Sequence, residues 1–335
     1  MSEDKVSVII VSWNGEKFLK TCLESIYNQT YQNYEVILVD NNSHDGSLRI
    51  AQQYSLLKIV KPNNNTGFAR GNNIGIKEAF KSKEVKYICT LNNDTKVASN
   101  FLEELVKIIK KGEDIGSVQP LLIFSGGLIQ SAGLMLPQNL LGVDAQGLSR
   151  GFKKSEDSYD KIEEIFAPTA AAALYKREML EKIGLFDEDF FCYGEDLDLG
   201  LRARLVGWRA YFTPRTKVIH FHSQTKGAAS GFKAYYIRRN TNLTAFKNLP
   251  LLFYLKYIVY AGINYLKLMG NVKNTNTSTG KLTRKLKLFG MLKLVIKINF
   301  GTMKYLPRMW SKRKNILKTR KISNRQLSEL FNQFG

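Results

Sequence analysis

VSVIIVS at residues 6–12 and YEVILVD at residues 34–40 are the stretches on which the fold turns. Both are continuous aliphatic and β-branched runs, the composition of a strand covered on both faces rather than on one. Between them Phe18, Leu19, Leu23 and Ile26 recur at helical spacing over residues 16–29, completing a strand–helix–strand unit. Outward from this unit the alternation continues. A polar cluster at 41–47 leads to a helix at 48–54, and a short strand is expected at 57–60. The run NNNTGFARGNN at 63–73 opens a helix through Phe80, and VKYICTL at 85–91 is a strand that stops at Asn92, Asn93 and Asp94. This alternation predicts an α/β fold with a mostly parallel, Rossmann-like sheet flanked by helices. Further along, a helix is expected at 101–111 with a capping box from Asn100 and Glu103, strand character follows at 117–137, and a helix opens at Glu195 and ends near Gly207.

In such sheets ligands collect outside the carboxyl ends of the strands. The polar clusters after Ser12, Val39 and Leu91 fall there, which predicts one site built from Trp13, Asp40 and Asp94. An aromatic ring can stack on a base, one Asp can accept from the base or ribose, and another can bind the hard cation that neutralises a diphosphate. Gly67 and Gly71 would let backbone amides approach such a ligand closely. The plainer alternative is that Asp40 and Asp94 are turn and helix-entry residues, as most Asp after strands are. Neither a Walker pattern nor G-x-G-x-x-G follows the first strand, which counts against an NTPase and a nicotinamide dehydrogenase.

The 335 residues are 44% hydrophobic, enough for a full core, so a disordered chain is excluded. The net charge of +21 is unevenly spread. Residues 1–198 hold 22 basic and 28 acidic side chains, whereas residues 199–335 hold 28 basic ones against Glu329 alone. Three widely spaced cysteines, Cys22, Cys89 and Cys192, do not make a disulfide framework and point to a reducing compartment. The N-terminus runs straight into a strand pattern without the layout of an export signal. The longest apolar stretch, 249–269, is interrupted by Lys256, Asn264 and Lys267 and is marginal as a membrane span.

VSVIIVSWNG (6–15), VILVDNNSHDGS (36–47), NTGFARGNNIGI (65–76), YICTLNNDT (87–95), FFCYGEDLDLGLRARLVGW (190–208) and VIHFH (218–222) together resemble a family 2 glycosyltransferase. The subgroup is that of rhamnosyl- and galactofuranosyltransferases of bacterial surface polysaccharides. The resemblance implies a GT-A fold over residues 1–248, a nucleotide-sugar donor, a divalent cation (Mn2+ or Mg2+) and inversion at the anomeric carbon. Asp94 matches the last acidic residue of the family's D-x-D-type metal motif, with Asn92 and Asn93 in the earlier positions. His220 is the implied further ligand and His222 the competing choice. Asp40 matches the base-recognising Asp, which implies a UDP- or dTDP-linked donor, and Trp13 stands beside the base. Val11, Gly67, Asn72 and Asn93 complete the implied nucleotide-sugar set. Asp196 falls on the position of the general base, with adjacent Glu195 orienting the acceptor or raising the base's pKa. Asp198 is expected to pair with Arg202 at i,i+4. Arg239 lies in a stretch resembling the subgroup's, and either diphosphate contact or packing would suit it.

The region 249–335 is expected to be a basic, amphipathic, helical extension. Leu282, Leu286, Phe289, Leu292, Val295 and Ile296 are interleaved with Lys281, Lys285, Lys293 and Lys297, the composition of helices that lie on an anionic membrane surface. No nucleic-acid-binding signature is present. The expected activity is inverting transfer to a lipid-linked or growing glycan by a cytoplasmic enzyme peripheral to the inner face of the cell membrane. The competing readings are a non-catalytic nucleotide-sugar-binding or scaffold protein on the same fold and, more weakly, a nucleotidyltransferase.

Overall fold

The computed structural model describes residues 3–136, 149–221, 231–270 and 278–335, with side chains described throughout these except at 264–270 and 278–288. Ten strands are found among the described residues: β1 Lys5–Ser12, β2 Tyr34–Asp40, β3 Leu57–Val60, β4 Val85–Asn92, β5 Thr95–Val97, β6 Ile115–Ile123, β7 Ile129–Ser131, β8 Glu163–Ile165, β9 Ala172–Lys176 and β10 Arg209–His220. The helices are α1 Glu16–Tyr27, α2 Ser47–Ala51, α3 Gly67–Ala79, α4 Phe101–Ile109, α5 Arg177–Ile183, α6 Glu195–Leu205, α7 Gly231–Asn248, α8 Leu251–Gly270, α9 Ser278–Thr319 and α10 Asn324–Phe334.

The strands form one sheet in the order β3-β2-β1-β4-β9-β6-β10-β5, with β7 paired to β6 and β8 to β10. β1, β2, β3, β4, β6 and β10 run one way, and β9 is inserted antiparallel between β4 and β6. The double-sided burial expected of residues 6–12 is borne out. Val6, Val8 and Ile10 pack with Leu19, Leu23 and Ile26 of α1 on one face. Ile9 packs with Ile76 and Ala79 of α3 and with Tyr175 and Met179 on the other. Gly71 and Gly75 let α3 lie flat on β1, since a Cβ on them would come within 2.8 Å of Val11 Cγ1 and 2.4 Å of Ile9 Cγ2. Gly71 is therefore a helix–sheet contact, where close ligand approach had been expected of it.

One further expectation changes. Asn100 stands at the N-cap of α4 without a capping bond. Its Nδ2 donates to the Arg215 carbonyl, and Glu103 accepts from the Thr30 hydroxyl at 2.6 Å, so the presumed box is dismantled by tertiary partners. The chain beyond residue 248 is helical as expected, and its inner face packs on the rest of the fold. Leu327 and Phe331 of α10 are buried against Leu197, Leu201 and Leu205 of α6, and Ile298 and Met309 of α9 are buried as well.

The densest polar feature of the interior ties α6 to α7. Lys247 Nζ lies 2.5 Å from Asp187 and 2.8 Å from Asp198, all three fully enclosed. Asp198 also takes the expected Arg202 contact at 3.0 Å and a bond from Asn248 Nδ2 at 2.7 Å. Burial alone would raise both carboxyls, but Lys247, with Lys312 beside Asp187 and Arg202 beside Asp198, more than reverses it and holds them below the usual carboxylate range.

Candidate active site

The carboxyl ends of β1, β4 and β10 open into a cleft of about 970 Å³. Of the residues singled out in the sequence, Val11, Trp13, Gly67, Asn93, Asp94, Glu195, Asp196 and His220 line it, although they come from widely separated parts of the chain. Asp40, Asn72 and Arg239 stand behind the wall, and His222 lies outside the described residues.

On one side the wall is built from strand ends. Trp13 follows β1 and is 42% exposed, so it is a ring presented to the cleft and not a core aromatic. The loop it belongs to is locked by Asn93, whose Nδ2 donates to Ser12 Oγ at 2.9 Å and leaves no room for a Cβ on Gly15. Asp40, the last residue of β2, is 1% exposed. The Ser43 N–H donates to its Oδ1 at 3.3 Å, and its Oδ2 has no partner among the described residues. A buried carboxylate oxygen without a donor is costly, and an imide N–H from a ligand is one group that would satisfy it. Asn72 is committed to the Phe68 carbonyl one turn earlier in α3.

Asn41 is a residue that sequence reasoning missed. Its side chain accepts from the Thr66 N–H and hydroxyl at 2.9 Å each and donates to the Gly67 carbonyl at 3.1 Å, pinning the loop that starts α3. Gly67 itself has φ +81°, and a Cβ there would lie 2.5 Å from the Phe191 ring. The doubled Asn after β2 was the available signal.

Asp94 and His220 meet at the floor, with His220 Nε2 3.0 Å from Asp94 Oδ1. Nδ1 of the same ring lies 2.8 Å from Gln130 Oε1, and Asn92 Nδ2 lies 3.3 Å from Nε2. The Nε2–Oδ1 contact is a hydrogen bond when the ring proton sits on Nε2; with the proton on Nδ1 instead, donated to Gln130, the Nε2 lone pair and the Asp94 carboxylate are a donor set that fits a divalent cation. Among the described residues no group of three or more His, Cys, Asp or Glu could hold a metal, so a cation here would draw its other ligands from phosphate oxygens and water, as Mg2+ and Mn2+ commonly do.

The other side of the cleft is a strained turn. Phe191 has φ 64° and ψ −63°, and the Cys192 N–H donates to the Phe190 carbonyl at 2.8 Å, which closes a γ-turn of positive φ. Tyr193 (φ 67°) and Gly194 (φ 86°) follow in the left-handed region, and α6 begins at Glu195. Each such non-glycine residue costs about 1–3 kcal/mol unless its surroundings enforce it. The enforcement comes from α7. Asn240 Nδ2 reaches the carbonyls of Phe190, Cys192 and Tyr193 at 3.0, 2.9 and 2.6 Å. Arg239 Nη2 reaches those of Asp189 and Phe190 at 2.8 and 3.0 Å, while its guanidinium stacks over Tyr236 and Tyr305. Between the two uses open to Arg239, this geometry is that of packing. On its outer edge the turn meets α3, where the Ala69 N–H donates to the Phe191 carbonyl at 3.2 Å.

The turn delivers two carboxylates. Asp196 is half-buried, accepting from the Leu197 N–H at 2.8 Å and from the Thr169 hydroxyl at 3.2 Å. Burial raises its pKa above the ordinary Asp value despite these bonds. Glu195 is buried with Oε2 unpartnered among the described residues, and burial, then the charge of Asp196, pushes it well above the usual range. Carboxyls perturbed by burial and facing a cleft are the kind of group that proton transfer uses, and structural ion-pair networks perturb carboxyls as well.

Known proteins resemble this chain in sequence and in fold. The model of the family described as Glycosyl transferase family 2 matches residues 7–184. The O-antigen biosynthesis protein RfbC of Myxococcus xanthus is 31% identical over 235 residues, which cover 67% of this chain and 18% of that protein. This chain thus spans less than a fifth of that relative's length. An N-acetylglucosaminyl-diphospho-decaprenol L-rhamnosyltransferase of Mycobacterium tuberculosis is 23% identical over 251 residues, covering 70% of this chain and 82% of that one. Among solved structures, the mannosyltransferase PcManGT from Pyrobaculum calidifontis, in complex with GDP-Man and Mn2+, superposes with a TM-score of 0.54 at 17% identity, covering 94% and 85% of the two chains. That likeness speaks for the GT-A fold. With the family model matched from residue 7 to residue 184 of 335, the chain belongs to glycosyl transferase family 2.

Proposed function

We propose that this protein is an inverting, metal-dependent glycosyltransferase that moves a sugar from a UDP- or dTDP-sugar to a lipid-linked or growing surface-polysaccharide acceptor. The observation that carries this reading is the presence in one cleft of the Asp94–His220 pair and of Asp196, a carboxylate of raised pKa. The names of the rhamnosyltransferase and O-antigen relatives support the acceptor class, and the GDP-Man and Mn2+ complex of the mannosyltransferase supports a nucleotide sugar and a divalent cation.

In this reading Trp13 stacks on the base, and Asp40, whose unpartnered Oδ2 lies buried behind the cleft wall, must be uncovered to accept from the N3 imide of uracil or thymine. Val11, Gly67, Asn72 and Asn93 shape the donor side, Val11, Gly67 and Asn93 from the cleft wall and Asn72 from behind it. Asp94 and His220 would hold the cation, which when bound supplies the positive charge that neutralises the diphosphate leaving group. The acceptor hydroxyl attacks the anomeric carbon on the face opposite the nucleotide. As the new C–O bond forms and the bond to the diphosphate breaks, the hydroxyl proton passes to a carboxylate oxygen of Asp196. Thr169 and the Leu197 N–H fix that carboxylate, burial raises its proton affinity, and Glu195 beside it would orient the acceptor. An enzyme using such an acceptor works at the cytoplasmic face of the cell membrane, where region 249–335 would hold it.

The test is nucleotide release from UDP-, dTDP- and GDP-sugars with Mn2+ or Mg2+ and membrane lipid extract. One UDP- or dTDP-sugar is expected to turn over with wild type, to need the metal, and to be lost on Asp94→Ala. Asp196→Asn is expected to lower turnover by about 10²–10⁴-fold while leaving donor binding intact. Donor binding without turnover under every condition would instead favour a non-catalytic protein. Because the base must be ionised and its pKa is raised, the acidic limb of kcat/KM is expected above the ordinary Asp value of about 3.9, activity falling as pH drops through it. A limb at the ordinary value would remove Asp196 from the role of base. Finally, Asn240→Ala releases the turn, so kcat should fall at least tenfold with little change in donor KM; an unchanged kcat in the folded variant would make the turn a packing feature only.

A further inference from the structure

We propose that the outward faces of α8 and α9 form a docking surface for an anionic lipid bilayer. The inference rests on the transfer reading only for the purpose of the contact, which brings the cleft to a lipid-linked acceptor; the contact itself is argued from the helices.

The described part of α8 is apolar all round. It packs inward through a narrow stripe, Phe253, Tyr254, Tyr257 and Ala261, which meets Phe246 and Phe331. On the opposite side Leu251, Leu252, Leu255, Ile258, Val259 and Ile263 face solvent, with Lys256 the charged side chain among them. A helix with no polar face is stable when something covers it. α9 repeats the arrangement. Ile298, Gly301, Met309 and Arg313 form its buried stripe, and a Cβ on Gly301 would sit 2.4 Å from the Tyr235 hydroxyl of α7. Phe289, Leu292, Ile296, Phe300, Met303 and Trp310 lie on the far side, with Phe289 and Phe300 67% and 71% exposed. Lys293, Lys297 and Lys304, spaced i, i+4, i+11, run along one flank of that apolar row.

Charge selects the occupant. Residues 249–335 carry 18 basic side chains and Glu329 as their one acidic residue. A second copy of the chain would bring the same lysines against one another, whereas a bilayer with anionic headgroups complements them while its acyl boundary receives the phenylalanines and leucines. No helix among the described residues is long and apolar enough to cross a membrane, so the contact is one of lying in the interface, with the lysine stems reaching back to the headgroups.

Flotation of the full chain with phosphatidylcholine vesicles, with and without phosphatidylglycerol, tests this in the absence of any donor. Partitioning is expected to be roughly hundredfold stronger with the anionic lipid at low salt and to weaken as salt rises. Trp310 emission should shift to the blue on binding, a shift that Trp310→Phe removes. The triple variant Val259→Asp, Ile296→Asp, Phe300→Asp alters exposed positions outside the cleft, so it should keep the wild-type melting profile and lose binding. Lys293→Glu with Lys297→Glu and Lys304→Glu should lose the preference for phosphatidylglycerol. No flotation at low salt, binding indifferent to both triple variants, or a solution dimer that the aspartate variant dissociates would each overturn the proposal. Vesicle binding without sugar transfer would count against the transfer reading alone, and transfer to a water-soluble acceptor by a protein that ignores vesicles would count against the lipid surface alone.

Discussion

The site depends on the hold that α7 exerts on the turn between Phe190 and Gly194. Asn240 and Arg239 take five bonds to carbonyls from Asp189 to Tyr193, and without them a γ-turn of positive φ at Phe191 and a left-handed tyrosine at residue 193 would relax. Below the turn, Lys247 of the same helix is clasped by Asp187, just before the turn, and Asp198, just after it. Breaking a buried pair of this kind by removing one partner costs about 3–5 kcal/mol, far more than any surface ion pair in the molecule contributes. One helix thus fixes both the conformation of the turn and the start of α6, which carries Glu195 and Asp196.

The same turn reaches the donor side through Phe191, which accepts from Ala69 and packs on Gly67. The strand ends that present Trp13 and Asp94, and the loop that Asn41 pins, are therefore braced against the segment that presents Asp196. α9 supports this from behind, with Tyr305 over Arg239 and Lys312 bonded to Asp187 and Asp189. The basic C-terminal helices belong to the framework of the cleft on their inner faces and are apolar and lysine-rich on their outer ones. The proposed lipid-docking face and the inner face that braces the cleft belong to one helix, α9.

Much of this was legible in the sequence, and the physical reason is local. Strands buried on both faces are continuous apolar runs, so β2 falls on the expected residues 34–40, and the part-exposed edge strand β3 falls on 57–60. Polar clusters must stand where such strands end, which located Trp13 and Asp94. What escaped depends on partners far along the chain. The antiparallel insertion of β9 between β4 and β6 is a pairing that residues 172–176 do not announce. Asn41, Gln130, Thr169 and Asn240 act through a backbone N–H, a ring nitrogen, a carboxylate and backbone carbonyls between about 25 and 90 residues away, partners that no local pattern names. The cap expected at Asn100 failed for the same reason, its side chain and that of Glu103 being drawn to β10's loop and to Thr30.

Transfer by a single displacement, with Asp196 as base, fixes the stereochemistry of the product. The anomeric proton of the transferred sugar, followed by NMR from the first turnover with whichever nucleotide sugar the enzyme accepts, is predicted to show the configuration opposite to that of the donor. Retention of the donor's configuration would contradict this mechanism, because a single displacement from the face opposite the nucleotide cannot produce that outcome.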